Sequence, residues 1–337
     1  MPVTSFNPPL SVLGHFSCGT GLHLSAECCG KKFDTRTSSF DVALFIAKFS
    51  IPWQNALLDP PEEVAPKCES DIADARENSL QWGVVVDWTT HGSGHQIPST
   101  VRASRFGFKV TRAVTDSTEL DDTRIRVLSE LDAWWTLFSS WVAVLTEQDP
   151  RDYWRAVEAT RMEPIWTWVD GEPKRRAQTV SADWPQHRDT DALDQTTLMV
   201  CMSLAGSGQP PPDEWIFIRD ARSALRAGDY RRAIIDAGTA AELAITELLD
   251  QDLALVDPAI REALFKRARA LEGRSNLMKD LKAGTEPPGF TAGLKTPRND
   301  AAHKGHRSSK QVAVKAIEVA VELVEQATPL LSLIPPV

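Results

Sequence analysis

The spacing of apolar side chains along the chain changes character near residue 210. Before it, the apolar-rich, β-branched and aromatic segments "QWGVVVDW" (81–88) and "STVRASRFGFKVTRAV" (99–114) read as two strands separated by the Gly, Ser and Pro of "HGSGHQIP". The stretch "PIWTWVDGEPKRRAQTV" (164–180) reads as a hairpin turning at Asp170–Gly171, and "HFSCGTGLHLSAECC" (15–29) as another turning across Gly19 to Gly21. Between the strands, "TRIRVLSELDAWWTLFSSWVAVLTEQ" keeps Val127, Leu131, Trp134, Trp135, Phe138, Val142 and Leu145 at helical spacing. Residues 1–205 are therefore predicted to be an α+β domain.

After "GSGQPPPD" (206–213), where glycine and three consecutive prolines stop any regular element, the period is helical throughout. "DEWIFIRDARSALRAG" stops at Gly228, and Asp229 caps "DYRRAIIDAGTAAELAITELLDQ", which carries Ile234, Ala237, Ala241, Ile245 and Leu248 on one face. Gly238, Ala240, Ala241 and Ala244 leave room for a close partner. "VDPAIREALFKRARALEG" (256–273) reads as a third helix, followed by the loop "KAGTEPPGFTAGLKTP". A last helix begins at "SSKQ", where Ser308 and Gln311 have capping-box spacing. The prediction is a multidomain chain: 1–205 α+β, 206–213 linker, and 214–337 an all-α four-helix bundle.

Composition narrows the function classes. With 42% hydrophobic and 25% charged residues and no apolar run near the ~20 residues of a membrane span, a globular protein without membrane insertion is expected. The N-terminus lacks a basic region followed by an apolar core, which predicts a cytoplasmic protein, and five cysteines fit reduced thiols better than a disulfide framework. Cys18, Cys28 and Cys29 lie near His15 and His23, but their spacing matches no paired C-x-x-C pattern, and the alternation of a hairpin explains the stretch better than zinc. Trp134, Trp135 and Trp141 offer faces for stacking on bases, although such a stripe usually belongs to a core.

The net charge of −9 argues against a general nucleic-acid coat protein. All of that excess lies in residues 1–212, whereas 213–337 carry equal numbers of acids and bases. Within the neutral part, Lys295, Arg298, Lys304, Arg307, Lys310 and Lys315 accompany the single acid Asp300, so "KTPRNDAAHKGHRS" (295–308) sits in a basic island. Thr296 is the expected N-cap and Pro297 suits the first helical position, which would set Arg298 and Asn299 beside free backbone N–H groups at the positive end of a helix dipole, a place for phosphate. Asn299 and His303 are four apart and share a face. Arg298 and His303, five apart, diverge by about 140° at 3.6 residues per turn, so a site using both calls for two copies about a two-fold axis. A histidine, with a reference pKa near 6.5, can take a proton from a ribose 2′-hydroxyl while an arginine stabilises the phosphorane-like transition state, and this scheme requires no metal or other cofactor.

The segment "RNDAAH" (298–303) resembles the Arg, polar residue, spacer, His motif of the HEPN superfamily, and "LRAGDYRRAIIDAGTAAELAITELL" with a terminal helix is similar to its bundle, over about residues 214–331. The resemblance implies a metal-independent endoribonuclease acting in defence, toxin or stress responses, with its site at a homodimer interface. It implies that Arg298 and His303 are catalytic and that Asn299 orients the histidine or the phosphate. Lys295, Lys304 and Arg307 would hold RNA, with Glu242, where members carry an acid, and His306 as accessory candidates. Asp300 inside the motif is a departure. Some members bind nucleotides or RNA without cutting, and a merely dimerising scaffold is a third reading. The acidic residues 1–205 would recognise a protein or small-ligand trigger.

Overall fold

The computed structural model describes residues 10–49, 57–63, 82–90, 92, 96–112, 117–148, 150, 166–169, 172–176, 192–303 and 308–334. The chain divides into two compact units, Met1–Pro210 and Pro211–Val337, with the division inside the proline run.

The first unit is built around an antiparallel sheet whose central strand is β7 (Gln96–Arg112). One edge of β7 pairs along its length with β1 (Leu10–Ser25); the other takes β3 (Asp41–Ile46) and β6 (Gly83–Thr90), and β2 (Lys32–Arg36) extends the sheet beyond β3. Two short pairs complete the strands: β4 (Lys48–Phe49) with β5 (Leu58–Asp59), and β8 (Trp166–Val169) with β9 (Glu172–Arg176). The turn expected at Asp170–Gly171 lies outside the described residues. Period-two burial along β7 runs through Val101 and Ala103, then resumes out of phase at Phe106, Phe108 and Val110. The phase change sits opposite an irregularity between Ser17 and Leu22 of β1.

That irregularity corrects the expected hairpin at Gly19 to Gly21. The glycines mark a bulge inside one long strand, and Gly21 takes a left-handed φ of 72° where an added Cβ would lie 2.5 Å from Arg102 Cγ. Alternation on both sides of a glycine pair fits either reading; the continuous partner β7 decides for the bulge.

Helix α1 (Ser117–Thr146) buries Val127, Leu131, Trp134, Trp135, Phe138, Trp141 and Val142. Ring centroids of Phe16 and Trp135 are 5.0 Å apart and those of Trp134 and Phe138 5.1 Å, so the tryptophan stripe is core and presents no stacking face. Helix α2 (Gln195–Gly206), absent from the sequence reading, is capped by Asp194, which accepts from the Thr197 N–H at 2.7 Å. It lies beside β2, where the Thr35 hydroxyl donates to the Met202 carbonyl at 3.2 Å.

The second unit is helical: α3 (Asp213–Arg226), α4 (Tyr230–Asp252), α5 (Pro258–Arg267), α6 (Ala270–Leu281), α7 (Thr296–His303) and α8 (Lys310–Ala327). Helix α3 closes as expected at Gly228, whose φ of 76° lets its N–H reach the Leu225 carbonyl and that of Asp229 reach Ala224, a Schellman pattern. Asp229 then caps α4, accepting from the Arg232 N–H at 3.1 Å. Helix α4 is the hub, touching α3, α6, α7 and α8, and buries Ala237, Gly238, Ala240, Ala241 and Ala244 at these close approaches.

Outside the 295–308 stretch, two helix boundaries differ from expectation. The single helix predicted over 256–273 is broken after Arg267, and Ala270 restarts the chain at a positive φ of 57°. Helix α8 is capped by Ser309, accepting from the Val312 N–H, and not by Ser308. Among the described residues no helix is long and apolar enough to cross a membrane.

Candidate active site

The site grows from the segment that carries Arg298. The backbone leaves Gly289 with φ 82°, winds Phe290–Lys295 as a π-helix and passes without a break into α7, with Phe290, Leu294 and Ala301 buried. Thr296 has helical angles, φ −64° and ψ −51°, and so is not the N-cap. The start of this helical rod lies near Phe290, two turns upstream of the motif. The predicted phosphate seat on free N–H groups at Arg298 and Asn299 is therefore not formed. Proline explains the geometry: Pro297 lacks an N–H and its ring crowds the preceding turn, and a wider π coil before it relieves that conflict.

Helix α4 supplies the other wall. Gly238, Glu242 and Thr246 are each one turn apart on the same face. The Arg298 stem lies over Gly238 so closely that an added Cβ there would be 2.5 Å from Arg298 Cγ. One turn on, Glu242 Oε2 lies 3.6 Å from Arg298 Nη2, and Arg298 Nη1 donates to Asn299 Oδ1 at 3.4 Å. The other oxygen, Oε1, lies 3.5 Å from Arg274 Nη1 of α6. Arg274 Nη1 also donates to the Thr246 hydroxyl, which itself donates to the Glu242 carbonyl at 2.6 Å. One carboxylate thus stands between two guanidiniums, with side chains 23–26% exposed.

Flanking contacts hold the rod in place. Lys295 Nζ is 3.1 Å from Glu272 Oε1 of α6, so this predicted RNA-binding lysine already has an acidic partner. Arg231 Nε donates to the Ala301 carbonyl at 2.8 Å, satisfying one of the carbonyls that the end of α7 leaves open. Asn299 and His303 are exposed, whereas Asp300 is half-buried. Lys304, His306 and Arg307 lie outside the described residues.

The structure therefore joins Arg298, Asn299 and Glu242, three of the residues singled out in the sequence, and turns Arg298 toward α4 while His303 is exposed. Arg274 and Thr246 were not anticipated. The one-turn spacing of Gly238, Glu242 and Thr246 is visible in the sequence; nothing local marks Arg274 as the partner of that face. Among the described residues no group of three or more His, Cys, Asp and Glu side chains could hold a metal ion. In the first unit an open groove of about 820 Å³ runs between β2 and α2, bordered by Lys31, Lys32, Asp34, Arg36, Gln195 and Met199. No protein-family model, curated protein or solved structure matches the chain significantly.

Proposed function

We propose that the chain is a metal-independent endoribonuclease of HEPN type, cutting RNA by attack of a 2′-hydroxyl at a site shared by two copies. The observation that carries the reading is the seating of Arg298 on Gly238 and Glu242. An arginine whose stem packs on a glycine, with a carboxylate 3.6 Å from its head, needs little further side-chain ordering when a phosphate arrives. In this scheme His303 exchanges protons with the 2′-hydroxyl and the leaving oxygen, Arg298 stabilises charge on the phosphorane-like transition state, and Asn299 orients Arg298.

The divergence of Arg298 and His303 around α7 is the reason for two copies, since His303 of a second chain can face the phosphate that Arg298 holds. The same divergence favours a second reading, an RNA- or nucleotide-binding module that does not cut. The net charge of −9 in residues 1–212 suits recognition of a protein or small-ligand trigger, not of RNA, by the first unit. The test is incubation of the full-length protein with single-stranded RNA in excess chelator. Fragments ending in 2′,3′-cyclic phosphate are expected. Binding without cleavage supports the module, and cleavage that needs an added divalent metal contradicts the scheme.

A further inference from the structure

We propose that Arg274 is a second phosphate-binding residue, gripping the same RNA phosphate as Arg298 from the other side of Glu242. The inference rests on the reading that Arg298 binds RNA, and adds a residue that no part of the 298–303 motif contains.

Four observations carry it. Glu242 gives one oxygen to each arginine, at 3.5 Å and 3.6 Å, both beyond ordinary N–H···O hydrogen-bond length. A guanidinium has five N–H donors, and these long contacts leave donors on both arginines for a further acceptor. The two arginines also carry one more positive charge than the carboxylate cancels, so the trio attracts an anion. Arg274 is fixed to α4 through Thr246 and the Glu242 carbonyl, which positions its head beforehand. Among the described residues its Nε is buried without an acceptor, an orphan donor. A phosphate diester offers two non-bridging oxygens, one for each guanidinium, as acceptors of charge-assisted hydrogen bonds. Glu242 then serves as the placeholder that keeps the two heads apart until the phosphate arrives.

The experiment uses a 2′-O-methyl RNA oligonucleotide, which cannot be cleaved, and measures its affinity for the full-length protein by fluorescence anisotropy across a salt series. Each lost phosphate contact on a single strand lowers the slope of log K against log salt by about 0.7. Arg298→Gln and Arg274→Gln should each lose about that slope. Loss in Arg298→Gln alone overturns the role of Arg274 and leaves the reading of Arg298 standing; loss in neither overturns both. If Arg274→Gln does not fold, Arg274→Lys decides, because the shorter point charge cannot span Glu242 and a phosphate together. A drop in affinity of fivefold or more supports the proposal, and wild-type affinity overturns it.

Discussion

Substituting Gly238 by alanine sets two effects of opposite sign against each other. In the middle of α4, alanine is preferred over glycine by about 0.8–1 kcal/mol, so the change alone should stabilise the helix. The added Cβ, however, would fall 2.5 Å from Arg298 Cγ and 3.3 Å from its Cβ. Since the Cγ lies near the root of the side chain, the whole arginine must move, and its contact with Glu242 is lost. Overpacking of this kind costs roughly 1–3 kcal/mol, so Gly238→Ala should be neutral or destabilising by up to about 2 kcal/mol in the natural chain. In an Arg298→Ala background the Cγ is absent and only the 3.3 Å approach to the Cβ at position 298 remains, so the same substitution should stabilise by up to about 1 kcal/mol. The coupling between the two positions is therefore expected at about 1–3 kcal/mol. Urea unfolding of the four proteins, followed by helical circular dichroism, measures it. Additive effects, with coupling under about 0.5 kcal/mol, would refute the seating of Arg298 on Gly238. On the functional side, Gly238→Ala should lose RNA cleavage while staying folded, since the guanidinium is displaced without being removed.

Trp141 is fully buried and its indole N–H donates to the Gln209 carbonyl at 2.7 Å, so Trp141→Phe should destabilise the first unit by about 2 kcal/mol in denaturant unfolding; a loss under about 0.5 kcal/mol would contradict that packing. Ser309→Ala should cost about 1 kcal/mol through loss of the α8 cap, and Ser308→Ala close to nothing, a contrast that thermal melting resolves. Burial pushes the Cys28 and Cys201 thiols up to about 12, so at pH 8 they should resist a thiol reagent until the protein is denatured. Because unfolded thiols ionise near pH 9 while these stay protonated, their contribution to stability is full below pH 9 and declines from there toward pH 12; rising stability across that window would contradict the burial.

What could be read from the sequence follows the range of the interactions involved. Asp229 and Gly228 act within a few residues of themselves, so the α3–α4 junction was legible to the residue. The strands β6 and β7 announce themselves by β-branched and aromatic residues between turn signals, but the meaning of Gly19 and Gly21 depends on β7 continuing past them, and pairing over that distance leaves no local mark. Helix α2 was missed because Leu198, Val200, Cys201, Met202, Leu204 and Ala205 are all buried, which erases the polar face that reveals a helix. Thr296 and Pro297 carry the signature of a helix start, yet the π-helix before them moves that start upstream. Arg298, Asn299 and Glu242, which the structure brings together, were singled out from the residues and the resemblance. Arg274 escaped because its role is set entirely by where α6 lies against α4.

The proposed cleavage requires Arg298 and His303 to act together from two copies of the chain. The most direct measurement incubates RNA, in excess chelator, with the wild type, with Arg298→Ala, with His303→Ala, and with an equal mixture of the two variants. Wild type should cleave, and each variant alone should lose cleavage by on the order of 10²-fold or more. The mixture should regain a readily measured fraction, because a mixed pair can assemble one site from the intact Arg298 of one chain and the intact His303 of the other. Cleavage by either variant at the wild-type rate would contradict the assignment of its residue. Two silent variants that stay silent when mixed, despite exchanging partners, would contradict the shared site.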